Sequence, residues 1–283
     1  MRSFAGAHLA EVVLTEHAHH ATELARRAVD DGCQLVVAVG GDGTMHEIAS
    51  ALTTTGATLG LVPCGSGDGL ARSLGIPRAV SRALQVLLTG RTRLIDTAEA
   101  NRQPFFNAMG LGYEAEIAHR FARFTSRGLL GYARAGLPAF FSRHNEPVIV
   151  HHDRGRAALT VWSLAVQNSE QLGNGFISAP GARVDDGQLD LVATAPVGFF
   201  GALGLAGRMA LGTFGDAGGV TWLRSKRYVL ERAAPGIIHL DGEPRTSDAQ
   251  IEITIRPRSL RVMTPAPDES ELLPVSPPSL AEA

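Results

Sequence analysis

"VVAVGGDGTMHEIASAL", residues 36–52, is the stretch from which the architecture follows. A run of small and β-branched apolar residues reads as a strand buried on both faces, as in a parallel sheet. It ends in Gly40 and Gly41, and Thr44 onward reads as a helix. Glycines let the chain turn sharply and come close to a ligand. Amides at the start of the following helix favour a negative charge there, above all a phosphate. Asp42 would repel such a ligand. It either orders the loop through backbone hydrogen bonds, or touches a ribose or holds a cation that bridges to the phosphates. The stretch alone leaves these open.

The second loop has the same build. "TLGLVPCG" is the next strand, and Gly65, Ser66, Gly67, Asp68 and Gly69 precede another helix. Two successive strands ending in glycine-rich, hydroxyl-bearing turns place two loops side by side at the carboxyl edge of one sheet, where open α/β sheets bind ligands. Outward from these loops, "EVVLT" reads as a strand, "HATELARRAVDD" as a helix and "RAVSRALQVLLTG" as a helix stopped at Gly90. The alternation predicts an α/β, doubly wound parallel-sheet nucleotide-binding domain over residues 1–95.

From residue 96 to 263 the texture is different. "ALTVWSLAVQNS", "LDLVATA", "YVLERA", "GIIHLDGEP", "AQIEITIRP" and "LRVMTP" are short alternating runs between turn residues, which predicts a β-sandwich domain of antiparallel sheet with a helical insert near residues 114–144 and leaves open that its last strands pack back on the first domain. The Pro-, Ser- and Glu-rich residues 264–283 read as a disordered tail.

Of the 283 residues, 45% are hydrophobic and 19% charged, a balance that excludes wholesale disorder. The formal net charge of -2 gives no reason to expect a nucleic-acid partner. Cys33 and Cys64 have no metal or disulfide spacing and read as small buried side chains in a reducing cytosol. The N-terminal residues do not form a signal peptide. The apolar stretch at 195–212 is interrupted by Arg208 and falls short of the ~20 residues of a membrane span. His17, His19 and His20, and likewise His151 and His152, lack a partner carboxylate at metal spacing and read as solvated.

"GGDGTMHEIASAL" and "GSGDGLARSLGIP", with "FFNAMGLGYEAEIA", "LAVQNSEQLGNGFISAPGARVDDGQLDLV" and "GIIHLDGEP", resemble the diacylglycerol/sphingosine/ceramide lipid kinase family over residues 11–265. The resemblance implies a nucleotide-binding α/β domain and a larger β-sandwich domain, with ATP and a lipid meeting between them. It implies transfer of the γ-phosphoryl group to a lipid hydroxyl, by an enzyme that is cytoplasmic and peripheral to the membrane. Diacylglycerol or a related glycerolipid leads as substrate, with a sphingoid base next. Gly40, Gly41, Asp42, Gly43, Thr44, Met45, His46 and Glu47 would wrap the ATP phosphates, joined by Gly65, Ser66 and Gly67. His46 resembles the "MHE" variant of sphingosine kinases. Thr15 in "TEHAHHAT" matches a nucleotide-contacting threonine. Asp241 matches the general base, with Glu243 beside it. "GARVDDGQL" matches a structural magnesium loop, with a carboxylate from Asp186 and carbonyls from Arg183 and Gln188; the catalytic Mg2+ would travel with ATP.

The residues of "HLDGEP" agree, although Asp, Gly and Glu after an apolar strand also make a plain hairpin turn. Phosphoryl transfer asks for a carboxylate that accepts the alcohol's proton late, and an ordinary aspartate suffices. Three departures from the family stand out. Its opening strand and Asn-Pro loop have no counterpart before "EVV", its second loop reads Asp68-Gly69-Leu70 in place of Asn-Asp and an aromatic residue, and Ser66 replaces threonine. A silent lipid- or nucleotide-binding relative and an NAD kinase, which shares "GGDGT", are the alternatives. "RGLLGYARAGLPAFF" and "APVGFFGALGLAGRMALG" are core or a crevice for acyl chains, with Arg123, Arg127, Arg134 and Arg143 near anionic headgroups and Leu129 and Leu130 as membrane contacts. Whether two chains pair as a homodimer is left open.

Overall fold

The computed structural model describes residues 11–122, 129–141, 145–173 and 175–266. Its first elements are α1 (His20–Asp30), β1 (Leu35–Gly40), α2 (Asp42–Leu52), β2 (Thr58–Pro63), α3 (Gly69–Ser73) and α4 (Val80–Thr89). β1 and β2 run parallel with Gly40 level with Pro63, so both glycine loops leave the sheet at one height. α2 buries Met45, Ile48, Ala49 and Leu52 in one core with Leu59, Leu61, Val62 and Leu70.

The strand on the other side of β2 comes from the far end of the chain. β16 (Gln250–Thr264) lies parallel to β2, with Leu59 level with Val262. β3 (Arg91–Ala100) runs antiparallel to β16 along nearly its whole length, from Arg91 opposite Thr264 to Ala100 opposite Ile253. The register shifts between Arg256 and Leu260, and Arg258 there has a left-handed φ of 51°. Past this bulge β16 pairs with β13 (Arg227–Arg232), which leads through β6 (Glu146–His152) to β7 (Gly155–Val161). One sheet therefore runs unbroken from the α/β lobe into the sandwich.

The opposing sheet is antiparallel: β12 (Val220–Ser225), β11 (Leu189–Thr194), β8 (Ser163–Gln167), β5 (Ala108–Gly112), β14 (Gly236–Leu240) and β15 (Glu243–Ser247), in that order. Residues alternating along both sheets, among them Met109, Leu111, Val148, Val150, Leu164, Leu191, Tyr228, Leu240 and Ile253, close a second core between them. Helices α5 (Tyr113–Phe121), α6 (Leu129–Phe141) and α7 (Phe199–Leu211) flank the sandwich, and Phe140, Trp162, Leu205 and Phe214 form a third, smaller core.

Several expectations are corrected. "EVVLT" is not a strand: residues 11–16 have no regular structure, and Val12 and Leu14 are exposed. Both cysteines are exposed and free. "AQIEITIRP" and "LRVMTP" are one strand, and the expected boundary at residues 95/96 falls inside β3. Residues 267–283 and the side chains of Leu129, Leu130 and Arg134, with Arg123, Arg127 and Arg143, lie outside the described residues.

Candidate active site

Residue Asp42 staples the two glycine loops together. Its Oδ2 accepts the Asp68 amide at 2.9 Å and its Oδ1 the Gly69 amide at 3.0 Å, where α3 begins. Asp68 in turn accepts the Gly65 amide at 3.0 Å, and the Arg78 guanidinium lies 3.6 Å from it and donates to the Gly65 carbonyl. Burial pushes the Asp42 carboxyl up; the two amides oppose this, and the charges of Asp68 and Asp241 add to it. The loops touch backbone to backbone, since a Cβ on Gly65 would sit 2.7 Å from Gly41 Cα. Of the choices the sequence left for Asp42, the loop-ordering one describes this geometry.

The rest of the first loop divides its work. Thr44 tucks its hydroxyl under Gly40, where a Cβ would come within 2.8 Å. Met45 is core. Glu47 accepts the amides of His19 at 3.0 Å and Ala21 at 3.1 Å, completing the start of α1. No side chain caps α2, whose N-cap is Gly41, so the first amides of α2 have no side-chain acceptor.

Residue Asp241 closes the site from the other lobe. It ends β14 in a left-handed conformation, φ 50°, ahead of Gly242 at φ 87°, and only 2% of its side chain is exposed. Its Oδ1 accepts the amides of Asn107 at 2.8 Å and Ala108 at 3.0 Å. Its Oδ2 accepts the Phe106 amide at 2.9 Å and His46 Nδ1 at 2.8 Å. Burial works to raise this carboxyl, but the hydrogen bond and charge of His46, with the Phe106 and Asn107 amides, outweigh it and hold it below the ordinary aspartate value. All four lone-pair directions of the carboxylate are thereby occupied. His46 sits edge-on to Phe106 with 12% of its side chain exposed. The exposed Glu243 brings Oε1 to 3.3 Å from the point a Gly43 Cβ would occupy. The turn between β14 and β15 thus lies against the N-terminal end of α2.

Residues that sequence reasoning gave no role hold this turn's partner strand. Asn107 Nδ2 donates to the Gln171 carbonyl at 2.9 Å, and its Oδ1 accepts from Ser169. Asn168 Nδ2 donates to the carbonyls of Asp96 and Phe106. The signal was legible only in part: "FFN" and "QNS" put amide side chains at ends of apolar strands, where burial demands partners.

Other candidates stand apart. Thr15 lies in the exposed segment before α1, and Ser66 in the second loop is half-buried. In the 183–188 turn, Asp185 pairs with Arg93 at 2.6 Å, and Asp186 accepts the Gln188 amide at 3.0 Å with Arg224 3.7 Å away. Burial pushes the Asp186 carboxyl up; Gln188 and Arg224 pull against it, and Asp190 and Asp96 add to the rise. A carboxylate beside backbone carbonyls is the kind of oxygen set a hard cation takes, although Arg93, Arg183 and Arg224 already pair with the acids of this turn. Among the described residues, His17, His20 and Glu23 bring ligand atoms within 4.8 Å of one another, so a carboxylate does accompany these histidines. Among the described residues no helix is long and apolar enough to cross a membrane.

Comparison with known proteins bears on the whole chain. A family model for the diacylglycerol kinase catalytic domain matches residues 3–100, and one for the YegS C-terminal NAD kinase beta sandwich-like domain matches residues 107–264. The chain is 32% identical over 277 residues to a "Probable lipid kinase YegS-like" of Pseudomonas fluorescens, covering 93% of this chain and 87% of that one. It is 33% identical over 261 residues to its counterpart in Pseudomonas aeruginosa, covering 86% and 82%. A solved structure of a putative diacylglycerol kinase from Bacillus anthracis matches with a TM-score of 0.74 at 22% identity, covering 88% of this chain and 82% of that one, which speaks for the fold.

Proposed function

Because the chain belongs to the YegS-like lipid kinase family with a diacylglycerol kinase catalytic domain, we propose that it transfers the γ-phosphoryl group of ATP to the hydroxyl of a membrane lipid. Diacylglycerol or a related glycerolipid is the first substrate to test and a sphingoid base the second. The observation that carries this reading is the meeting of two stapled glycine loops with Asp241, which reaches them from the other lobe through His46. The uncapped start of α2 receives the phosphates, with Gly40, Gly41, Gly43 and Thr44 shaping the turn and Gly65, Ser66 and Gly67 lying alongside. Activation of the acceptor hydroxyl depends on the Asp241 carboxylate, and Glu243 borders the path the γ-phosphate would take.

Magnesium would enter with ATP, screening charge between the phosphates. A second, structural Mg2+ would sit at the 183–188 turn on the Asp186 carboxylate and the carbonyls of Arg183 and Gln188. If so, a chelator lowers the thermal midpoint of the protein and has no such effect on Asp186→Ala; equal shifts would remove this site.

Peripheral membrane contact fits the face formed by α6 and α7. Phe141, Phe200, Leu203 and Leu211 are exposed there, Phe140, Phe141, Phe199 and Phe200 form one cluster of rings, mostly edge to face with Phe141 stacked on Phe199, and α7 carries Arg208 and no acidic residue. Such a face suits an anionic lipid surface. The deciding experiment is transfer from radiolabelled ATP to a total lipid extract. Wild type labels a lipid and Asp241→Asn falls by on the order of 10²–10⁴; an unlabelled extract and unlabelled purified lipids would refute the reading.

A further inference from the structure

We infer that His17, His20 and Glu23 take a divalent transition-metal ion, zinc first among them, at a site separate from the glycine loops. Their ligand atoms all lie within 4.8 Å of one another. The chain brings them together by a turn ahead of α1. His19 has a left-handed φ of 66°, and the His20 amide donates back to the His17 carbonyl at 3.3 Å. That turn lays the two imidazoles face to face, with ring centres 4.5 Å apart and planes 10° from parallel. Glu23 stands in the first turn of α1, three residues after His20, so its carboxylate shares the side of the helix that His20 occupies. Ala21 and Ala25 carry another, buried side.

The donor set selects the ion. Two imidazoles and one carboxylate are the ligands of zinc sites with three protein donors, in which water takes the fourth position. Magnesium and calcium ask for oxygen ligands, so the pair of imidazoles disfavours them. Zinc bonds of ~2.0–2.2 Å hold tetrahedral ligand atoms ~3.3 Å apart, so the three residues must draw in by about an ångström. His17 and Glu23 are exposed and His20 half-buried, and rotation of their side chains supplies that movement without disturbing the core. His17 Nδ1 already lies 3.0 Å from the Ala18 carbonyl. Whichever nitrogen of His20 binds, the ring gives up the bond that its Nδ1 accepts from the Glu16 amide at 3.0 Å. That amide is exposed, and water takes the place of the ring.

The position gives the ion a structural task. Residues 11–16, Thr15 among them, have no regular structure. Glu47 of α2 accepts the amides of His19 and Ala21. An ion shared by His17, His20 and Glu23 would fasten the end of that irregular segment to the place where α1 meets α2. It is a clasp, with no part in phosphoryl transfer.

The test uses the full chain, stripped of metal by a chelator, and Zn2+ alone. It needs no kinase activity, so its outcome is separate from that of the lipid assay. Equilibrium dialysis should find a Zn2+ ion bound to the chain and kept in a large excess of Mg2+. His17→Ala, His20→Ala and Glu23→Gln should each weaken binding at least ~10-fold, no less than the loss when a ligand's own hydrogen-bond partner is removed. Zinc should raise the thermal midpoint of wild type and leave that of His17→Ala in place; this variant lies outside α1, and its metal-free midpoint should match wild type. Co2+ in place of zinc should give the visible absorption of a tetrahedral nitrogen–oxygen site, without the thiolate band that binding by the exposed Cys33 or Cys64 would bring. No bound zinc in wild type, undiminished binding in His17→Ala and His20→Ala, or a thiolate band overturns the site. Zinc that binds there without raising the midpoint overturns its role as a clasp.

Discussion

A methyl group on Gly65 has nowhere to go. It would meet Gly41 Cα at 2.7 Å and Asp68 Oδ1 at 2.6 Å, and the first of these is backbone. Gly65→Ala should therefore push the loops apart, raising the KM for ATP by about tenfold or more while costing about 1–3 kcal/mol of stability. Steady-state kinetics with a urea titration would check both. Asp241 gives a pH signature. Its carboxyl is lowered in the folded chain, so the stability it contributes is fully present above the unfolded value of about 3.9 and is lost as pH falls through the lower folded value. The gap in urea midpoint between wild type and Asp241→Asn should be wide at neutral pH and close under acid. A constant gap would mean the ionised form is not what the amides hold. The sequence made Asp42 and Asp241 conspicuous through their glycine neighbours. It could not say which atoms they meet, because those partners, Asp68, Phe106 and His46, are brought by folding from 26 to 195 positions away.

β16 is the element on which the fold turns. Its alternating pattern was legible in two halves, "AQIEITIRP" and "LRVMTP", because Pro257 ends the first and a proline is foreign to a strand interior. The structure makes Pro257 and the left-handed Arg258 a bulge that re-aims one strand from sandwich to α/β lobe. Asp96, buried in β3, holds the bulge: it accepts the Arg258 amide at 2.7 Å and the Gly187 amide at 2.7 Å. Asp96→Ala strips both donors at once and should destabilise the chain by roughly 1–3 kcal/mol for each, seen as a lower urea midpoint. An unchanged midpoint would show that water replaces the carboxylate. "EVVLT" misled for a related reason. A strand-like pattern forms a strand only where a partner edge is offered, and residues 11–16 pair with none among the described residues.

At the scale of the molecule, the two-lobed plan was open to reading because the hydrophobic period differs between the halves. The return of the last strands to the first lobe was open to reading too, but which strand pairs with β2, and in what register, was not, since strand order is a long-range property. The exposed aromatic face of α6 and α7 belongs to this scale as well. Phe200→Asp combined with Leu203→Asp should weaken binding to anionic vesicles at least ~10-fold, the loss expected when one or two large apolar side chains no longer enter the bilayer. Binding of an ATP analogue should stay as in wild type, and unchanged vesicle sedimentation would dismiss the face as a lipid contact.

The placement of β16 also bears on how the chain is made. Before residues 250–264 leave the ribosome, the described residues of the α/β lobe have only β1 and β2 joined, with β3 unattached to either. A two-stranded ribbon under a few helices is marginal in water. The nascent first lobe must therefore wait, unfinished, until β16 has been made, and residues 1–100 made alone should show no cooperative melting transition. Its last stitch is its own carboxyl-terminal strand.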